Sequence, residues 1–325
     1  MNLETVTAVY AGNVRIGYGV IIAVLSFISS WCLTCSLAGA GKKGEDAGKT
    51  EILKNALALL MYLVFAPVLA LTFGRAVYWY SHHEIFARSP ELLYSFEGSF
   101  HEAGVILGAF LAALMSSFFA GKKFMKKMMS ASAAGTMLFL SLVSLASMFN
   151  DADRGKAVIE DVAYQRLPVS YLTGGVEYRP AVFFWKFMVL GIIALFSVVL
   201  CIIGKSALYT YVCYFAAMAV LDSARYDASF LRSNGFVSLM QIVSGVFLIA
   251  ALIVCTVRSV KRHGFRAFHL IFILAFLAGL GLTGYMEYYV QRHGDLYPYC
   301  YALMSVACFV MAASVIRIAV IIPRK

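Results

Sequence analysis

Charge is scarce in this chain. Only 14 % of its 325 residues are charged against 62 % hydrophobic. Apolar runs longer than ~18 residues recur along it, which excludes a soluble domain. Proline is scarce too, at 6 residues. The ten-residue alternation of lipid-facing and lumen-facing positions that a β-barrel requires is missing, so the spans must be helices. No phosphate-binding glycine loop, hydrolase serine elbow or zinc-protease helix motif occurs. Nothing repeats at a solenoid period, and the two halves lack the similarity expected of an inverted-repeat carrier. The N-terminus has Glu4 and a lone Arg15 where a secretory signal has a basic cluster, so the first apolar run is expected to be retained.

What is present is a set of nine apolar spans, read as Ile16–Cys35, Leu53–Tyr80, Gly104–Phe119, Ser132–Phe149, Ala181–Ile203, Ala207–Leu221, Phe236–Val257, Ala267–Tyr285 and Tyr299–Ile322. The expected fold is an all-α polytopic membrane protein. Basic residues gather in alternate loops: Lys42, Lys43, Lys49 and Lys54; Lys122, Lys123, Lys126 and Lys127; Lys205; Arg258, Lys261, Arg262 and Arg266; Arg324 and Lys325. By the positive-inside rule those loops are cytoplasmic, which puts the N-terminus outside and the C-terminus inside. All acidic residues except Glu45, Asp46 and Glu51 then fall at or beyond the outer helix ends. The net charge of +10 therefore reports topology and contact with an anionic inner leaflet, and no nucleic-acid partner is expected.

All seven cysteines lie in or beside apolar spans, which predicts no disulfide framework. Cys32-Leu33-Thr34-Cys35 has knuckle spacing without a second pair, and His82-His83-Glu84 has no third ligand at a clear spacing, so neither metal nor cofactor is expected. The longest polar excursion, Asn150–Pro180, should form a small external cap. A shorter outer loop, Ser81–Glu102, and the residues just before it carry Tyr78, Trp79, Tyr80, Phe86, Tyr94, Phe96 and Phe100, which suit the headgroup layer.

Within this frame one stretch concentrates chemistry. Arg75 sits near the outer end of the second span and His101 at the outer start of the third, and antiparallel packing should bring them to one level. An ionised side chain at membrane depth costs at least ~2.5 kcal/mol, so Arg75 calls for either a phosphate to bind or an ion pair with Asp222 or Asp151. His101 could deprotonate a thiol or hydroxyl, because an unperturbed imidazole titrates at ~6.5; otherwise it is an interfacial histidine bonded to a loop. Topology sends Tyr18, Glu102, Asn150, Asp151, Asp222 and Arg225 to the same outer layer. Asp222 and Arg225, at i and i+3, are expected to pair with each other. Lys186 and Arg317, near span ends, are read as snorkelling.

The same residues carry a resemblance. Ile16-Gly17-Tyr18-Gly19 resembles the first-span W-Y-G signature of the prolipoprotein diacylglyceryl transferase family. Gly74-Arg75 with Tyr78 and Tyr80 resembles its G-R-x-x-Y element, and Ser99-Phe100-His101-Glu102-Ala103-Gly104 its S-F-H-G-G motif. Leu221-Asp222-Ser223-Ala224-Arg225 looks like the end of R-x-x-x-E-x-x-R, and Ser238-Leu239-Met240-Gln241 like S-x-G-Q. The resemblance covers roughly residues 10 to 257. It implies a transferase-like seven-helix membrane domain over 1–257, with the external cap 150–180, followed by two additional C-terminal transmembrane helices over 258–325.

It also implies a bacterial cytoplasmic membrane protein that moves a diacylglyceryl group from a membrane glycerophospholipid to a protein cysteine or related acceptor at the outer face. The partners would be that lipid and a prolipoprotein or another membrane protein. His101 would be the base, Arg75 and Arg225 the phosphate clamp, and Asp222 would orient an arginine, with Tyr18 and Asn150 contacting lipid. The chain departs from the family pattern at Leu145 and Met148, which stand where G-R-x-G-N-F-I-N-x-E has an arginine and its first asparagine. It departs again at Met218, where the R-x-x-x-E-x-x-R segment begins, and at Arg179–Trp185 in place of H-P-S-Q-x-Y-E. An apolar side chain offers phosphate none of the donors of a guanidinium. The alternative is a noncatalytic lipid-binding or scaffold protein that keeps the transferase fold.

Overall fold

The computed structural model describes residues 8–11, 14–39, 49–88, 100–149, 152–230, 237–293 and 297–320. It is an all-α polytopic membrane protein. Among the described residues eight helices are long and apolar enough to cross a membrane. The remaining apolar run, Ala207–Leu221, forms a helix of 15 residues. Its bounds are those read from the sequence, and at 1.5 Å per residue it is roughly 22 Å long against a hydrocarbon core of ~30 Å. The described residues divide into two compact units, one taking 8–146 and 190–210, the other 147–189 and 211–320.

The first unit opens with a short hairpin, β1 (Ala8–Ala11) and β2 (Val14–Gly17), and continues through α1 (Tyr18–Gly39), α2 (Lys49–Ser81), α3 (His83–Arg88), α4 (Glu102–Ser117) and α5 (Lys122–Ser144). Lipid tails are as apolar as leucine, so helices in a membrane associate through close packing and interhelical hydrogen bonds. Small residues supply both here. Gly104 and Gly108 stand four apart on α4 and lie on the backbone of α2: a Cβ at Gly104 would overlap the Phe73 carbonyl oxygen and come 2.7 Å from the Gly74 Cα. A Cβ at Gly108 would come 2.6 Å from the Ala70 Cα. The α1 to α5 contact follows the same logic. Gly135 receives the Ser30 hydroxyl on its carbonyl at 2.7 Å, and a Cβ there would lie 2.9 Å from the Ser30 carbonyl oxygen. Ser26 and Thr34 donate to carbonyls four residues back, so their buried hydroxyls are not left unpaired.

The second unit begins with the polar segment 152–180, which carries the antiparallel pair β3 (Ser170–Thr173) and β4 (Glu177–Pro180). Gly174 and Gly175 take φ of 56° and 69° in the connecting turn, a region that costs glycine nothing. α6 (Val182–Ile202) starts in this unit and belongs to the first from residue 190; α7 (Ala207–Leu221) belongs to this unit from residue 211, and α8 (Leu239–His263), α9 (Ala267–Val290) and α10 (Tyr297–Ala319) follow. Ser238 caps α8 in a reciprocal capping box with Gln241. At the opposite end, fully buried His269 accepts from the Arg266 N–H at 3.1 Å and lies 3.0 Å from the Ser259 hydroxyl, fastening α9 to α8.

Candidate functional site

The residues singled out by the sequence fall into two groups. In the first unit, α2 ends and α4 begins side by side because the glycines of α4 allow backbone contact. The His101 N–H donates to the Gly74 carbonyl at 3.0 Å. Arg75 and His101 therefore stand at one level, as antiparallel packing required. Arg75 does not sit in open lipid. Its guanidinium carbon lies 5.6 Å from the Tyr78 ring centre, 5.3 Å from that of Phe86 and 6.0 Å from that of Phe100, distances at which aromatic faces attract a cation. Phe86, expected to anchor in the headgroup layer, is instead buried beside the arginine. Trp79 and Tyr80 are exposed and suit anchoring, while Tyr94 and Phe96 lie outside the described residues.

His101 is the N-cap of α4. Its Nδ1 accepts the Ala103 N–H at 3.3 Å, and the side chain is buried. A neutral imidazole that accepts at Nδ1 carries its proton on Nε2, so in this arrangement the ring presents a donor. Glu102 follows in the first helical turn, where a carboxylate complements the positive end of the helix dipole. Tyr18, half-buried, heads α1 in the same unit.

In the second unit Asp222 and Arg225 do pair, Nη1 to Oδ1 at 3.0 Å, but as members of a larger network centred on buried Asp153 and Asp222. Arg225 Nε also reaches Asp153 Oδ1 at 2.7 Å, and its Nη2 reaches Asp227 Oδ2 at 3.2 Å. Lys186 Nζ bonds Asp153 Oδ2 at 3.0 Å, and Ser147 donates to the same oxygen at 3.2 Å. The Ser238 hydroxyl donates to Asp222, which couples the cap of α8 to the network. The Gln241 amide then donates to Glu287 Oε2 at 2.7 Å, carrying the polar chain to α9.

Lys186 is thus a buried ion-pair partner, only 3 % exposed, and not a snorkelling side chain. Burial would raise the Asp153 carboxyl, but Arg225 and Lys186 overcome it and hold the group well below the usual carboxylate range. Arg225 thereby spends its Nε, Nη1 and Nη2 donors on carboxylates.

Sequence reasoning did not find Asp153, Ser147 or Glu287 as network members. A lysine inside the run Phe183-Phe184-Trp185-Lys186-Phe187 signals that a partner is needed, but Asp153 is 33 residues away and holds a φ of 53°, which no pattern announces. Asn150 and Asp151 lie outside the described residues. Met218, where the resemblance expects an arginine, is fully buried in α7. No protein-family model matches this sequence, and no curated protein matches it significantly.

Proposed function

We propose that this chain is a divergent glycerophospholipid-dependent transferase of the prolipoprotein diacylglyceryl transferase type, in a bacterial cytoplasmic membrane with its N-terminus outside and C-terminus inside. One observation carries the reading: the backbone bond between His101 and Gly74 holds an arginine and a histidine together where two membrane helices end. In this reading Arg75, held by its three rings, faces the donor phosphate, and the Nε2–H of His101 donates to a lipid oxygen. Transfer forms a carbon–sulfur bond to an acceptor cysteine and breaks the glyceryl carbon–oxygen bond, releasing glycerol phosphate. The thiol proton leaves to His101 only if the ring gives up its bond to the Ala103 amide.

That requirement, with the full engagement of Arg225 by aspartates, favours a second reading: a noncatalytic protein that binds the lipid and keeps the fold. The purified protein in phosphatidylglycerol vesicles with a lipobox peptide separates them. Transferase action gives a lipidated peptide, and His101→Ala should lower its rate by about 10²-fold or more while the protein stays folded. Lipid that co-purifies without any transfer, together with failure to restore lipoprotein maturation in cells depleted of their own transferase, selects the noncatalytic reading.

The orientation has its own test. Lys122, Lys123, Lys126 and Lys127 cluster at the start of α5, the end where a helix dipole disfavours cations, so helix stability does not explain them and leaflet contact does. In intact cells a cysteine at Lys123 should be protected from an impermeant thiol reagent, and one at Asp161 should react. The reverse pattern rejects the proposed topology.

A further inference from the structure

The second unit contains a cleft of about 190 Å³ where the 152–180 segment meets the ends of α6, α9 and α10. Its wall is mostly apolar, with Trp185, Val290, Tyr297 and Tyr301 around it and Lys156 and Gln291 among its polar members. The polar side chains differ in what they have left to give. The Trp185 indole N–H donates to the Pro168 carbonyl at 2.8 Å, which fixes the ring. Tyr301 donates to the Ser223 carbonyl at 3.3 Å, and the Gln291 amide to Glu287 at 3.0 Å.

Lys156 is different. Lys186, Arg225 and Arg179 in this unit all have carboxylate partners, whereas among the described residues Lys156 meets only the Phe230 ring, 6.0 Å from its ammonium. Its backbone is nonetheless pinned, since its N–H donates to the Ala224 carbonyl at 3.1 Å and its own carbonyl accepts from Arg179 at 3.1 Å. A half-buried lysine on a pinned backbone, with no carboxylate partner among the described residues, at the edge of an apolar cleft at the end of membrane helices, is complementary to an anion on an apolar body.

We propose that this cleft binds an anionic amphiphile, with the anionic group on Lys156 and the apolar part against Trp185, Val290 and Tyr297. The cleft is lined by residues of the second unit alone, and the proposal does not depend on the transferase reading. An inorganic anion lacks the apolar part and should bind poorly; a zwitterionic lipid lacks the net charge.

Trp185 lines the cleft and reports on it. In a variant with Trp31→Phe and Trp79→Phe, purified and placed in nanodiscs of unlabelled phosphatidylcholine, a brominated phosphatidylglycerol should quench Trp185 at a lower mole fraction than a brominated phosphatidylcholine does. Lys156→Gln should raise the mole fraction needed for half-quenching by the anionic lipid about tenfold, the loss expected for one charge-assisted contact. Lys156→Arg should retain the preference, which shows that charge and not loss of folding is read. Equal quenching by the two lipids, an unchanged response in Lys156→Gln, or displacement of the brominated phosphatidylglycerol by millimolar inorganic phosphate would each overturn the proposal. None of these outcomes depends on whether the protein transfers a diacylglyceryl group.

Discussion

Gly104→Leu should separate α2 from α4 and destabilise the protein by about 3 kcal/mol, at the upper end of what overpacked positions usually cost. The reason is contact between main chains. At Gly104 the first side-chain carbon already overlaps the Phe73 carbonyl oxygen and presses on the Gly74 Cα, and backbone cannot yield as a flexible side chain can. The same displacement stretches the bond from His101 to Gly74, so whatever Arg75 and His101 do together should fail with it. Unfolding of the purified protein in detergent, followed beside lipid retention, checks the result. Gly281→Ala is the control: nothing lies within 4 Å of its Cβ position, and alanine in a helix gains roughly 0.5–1 kcal/mol over glycine. A Gly104→Leu protein as stable as wild type would mean that the two helices do not touch there.

Asp153→Asn should cost about 3–5 kcal/mol, because it takes the Asp153 charge away from buried Lys186 and from Arg225. Asparagine tolerates the positive φ at this position as aspartate does, so the loss measures charge and not backbone strain. Adding Lys186→Met to Asp153→Asn should restore much of the stability, since the buried ammonium is then gone; a double-mutant cycle should give a coupling of at least about 1 kcal/mol. The pH dependence has a definite sign. A carboxyl held below its unfolded value stabilises fully above that value, near pH ~4, and loses the contribution as pH falls from there through the folded value. The acid limb of wild-type stability should therefore flatten in Asp153→Asn. Additive single and double variants, or an unchanged acid limb, would show that the pair is not coupled.

The membrane class, the helical architecture and the approximate place of each apolar run follow from composition and run length alone, because a bilayer accepts only segments that satisfy their own backbone. The level shared by Arg75 and His101 was legible too, since one lies near the end of α2 and the other at the start of α4. Partners were not. Arg75 has the rings of Tyr78, Phe86 and Phe100 around it, which no spacing announced; Lys186 was expected to reach for the headgroups and is buried on Asp153.

Both outcomes depend on which residues distant in sequence converge, and apolar periodicity carries no record of that. The tertiary structure decided these points through close packing. Glycines at 104, 108 and 135 let helices approach until backbone meets backbone. Burial then set Lys186 and Arg225 against Asp153 and gave Glu287 two amide donors, because in a low-dielectric interior an ion left without a partner costs several kcal/mol.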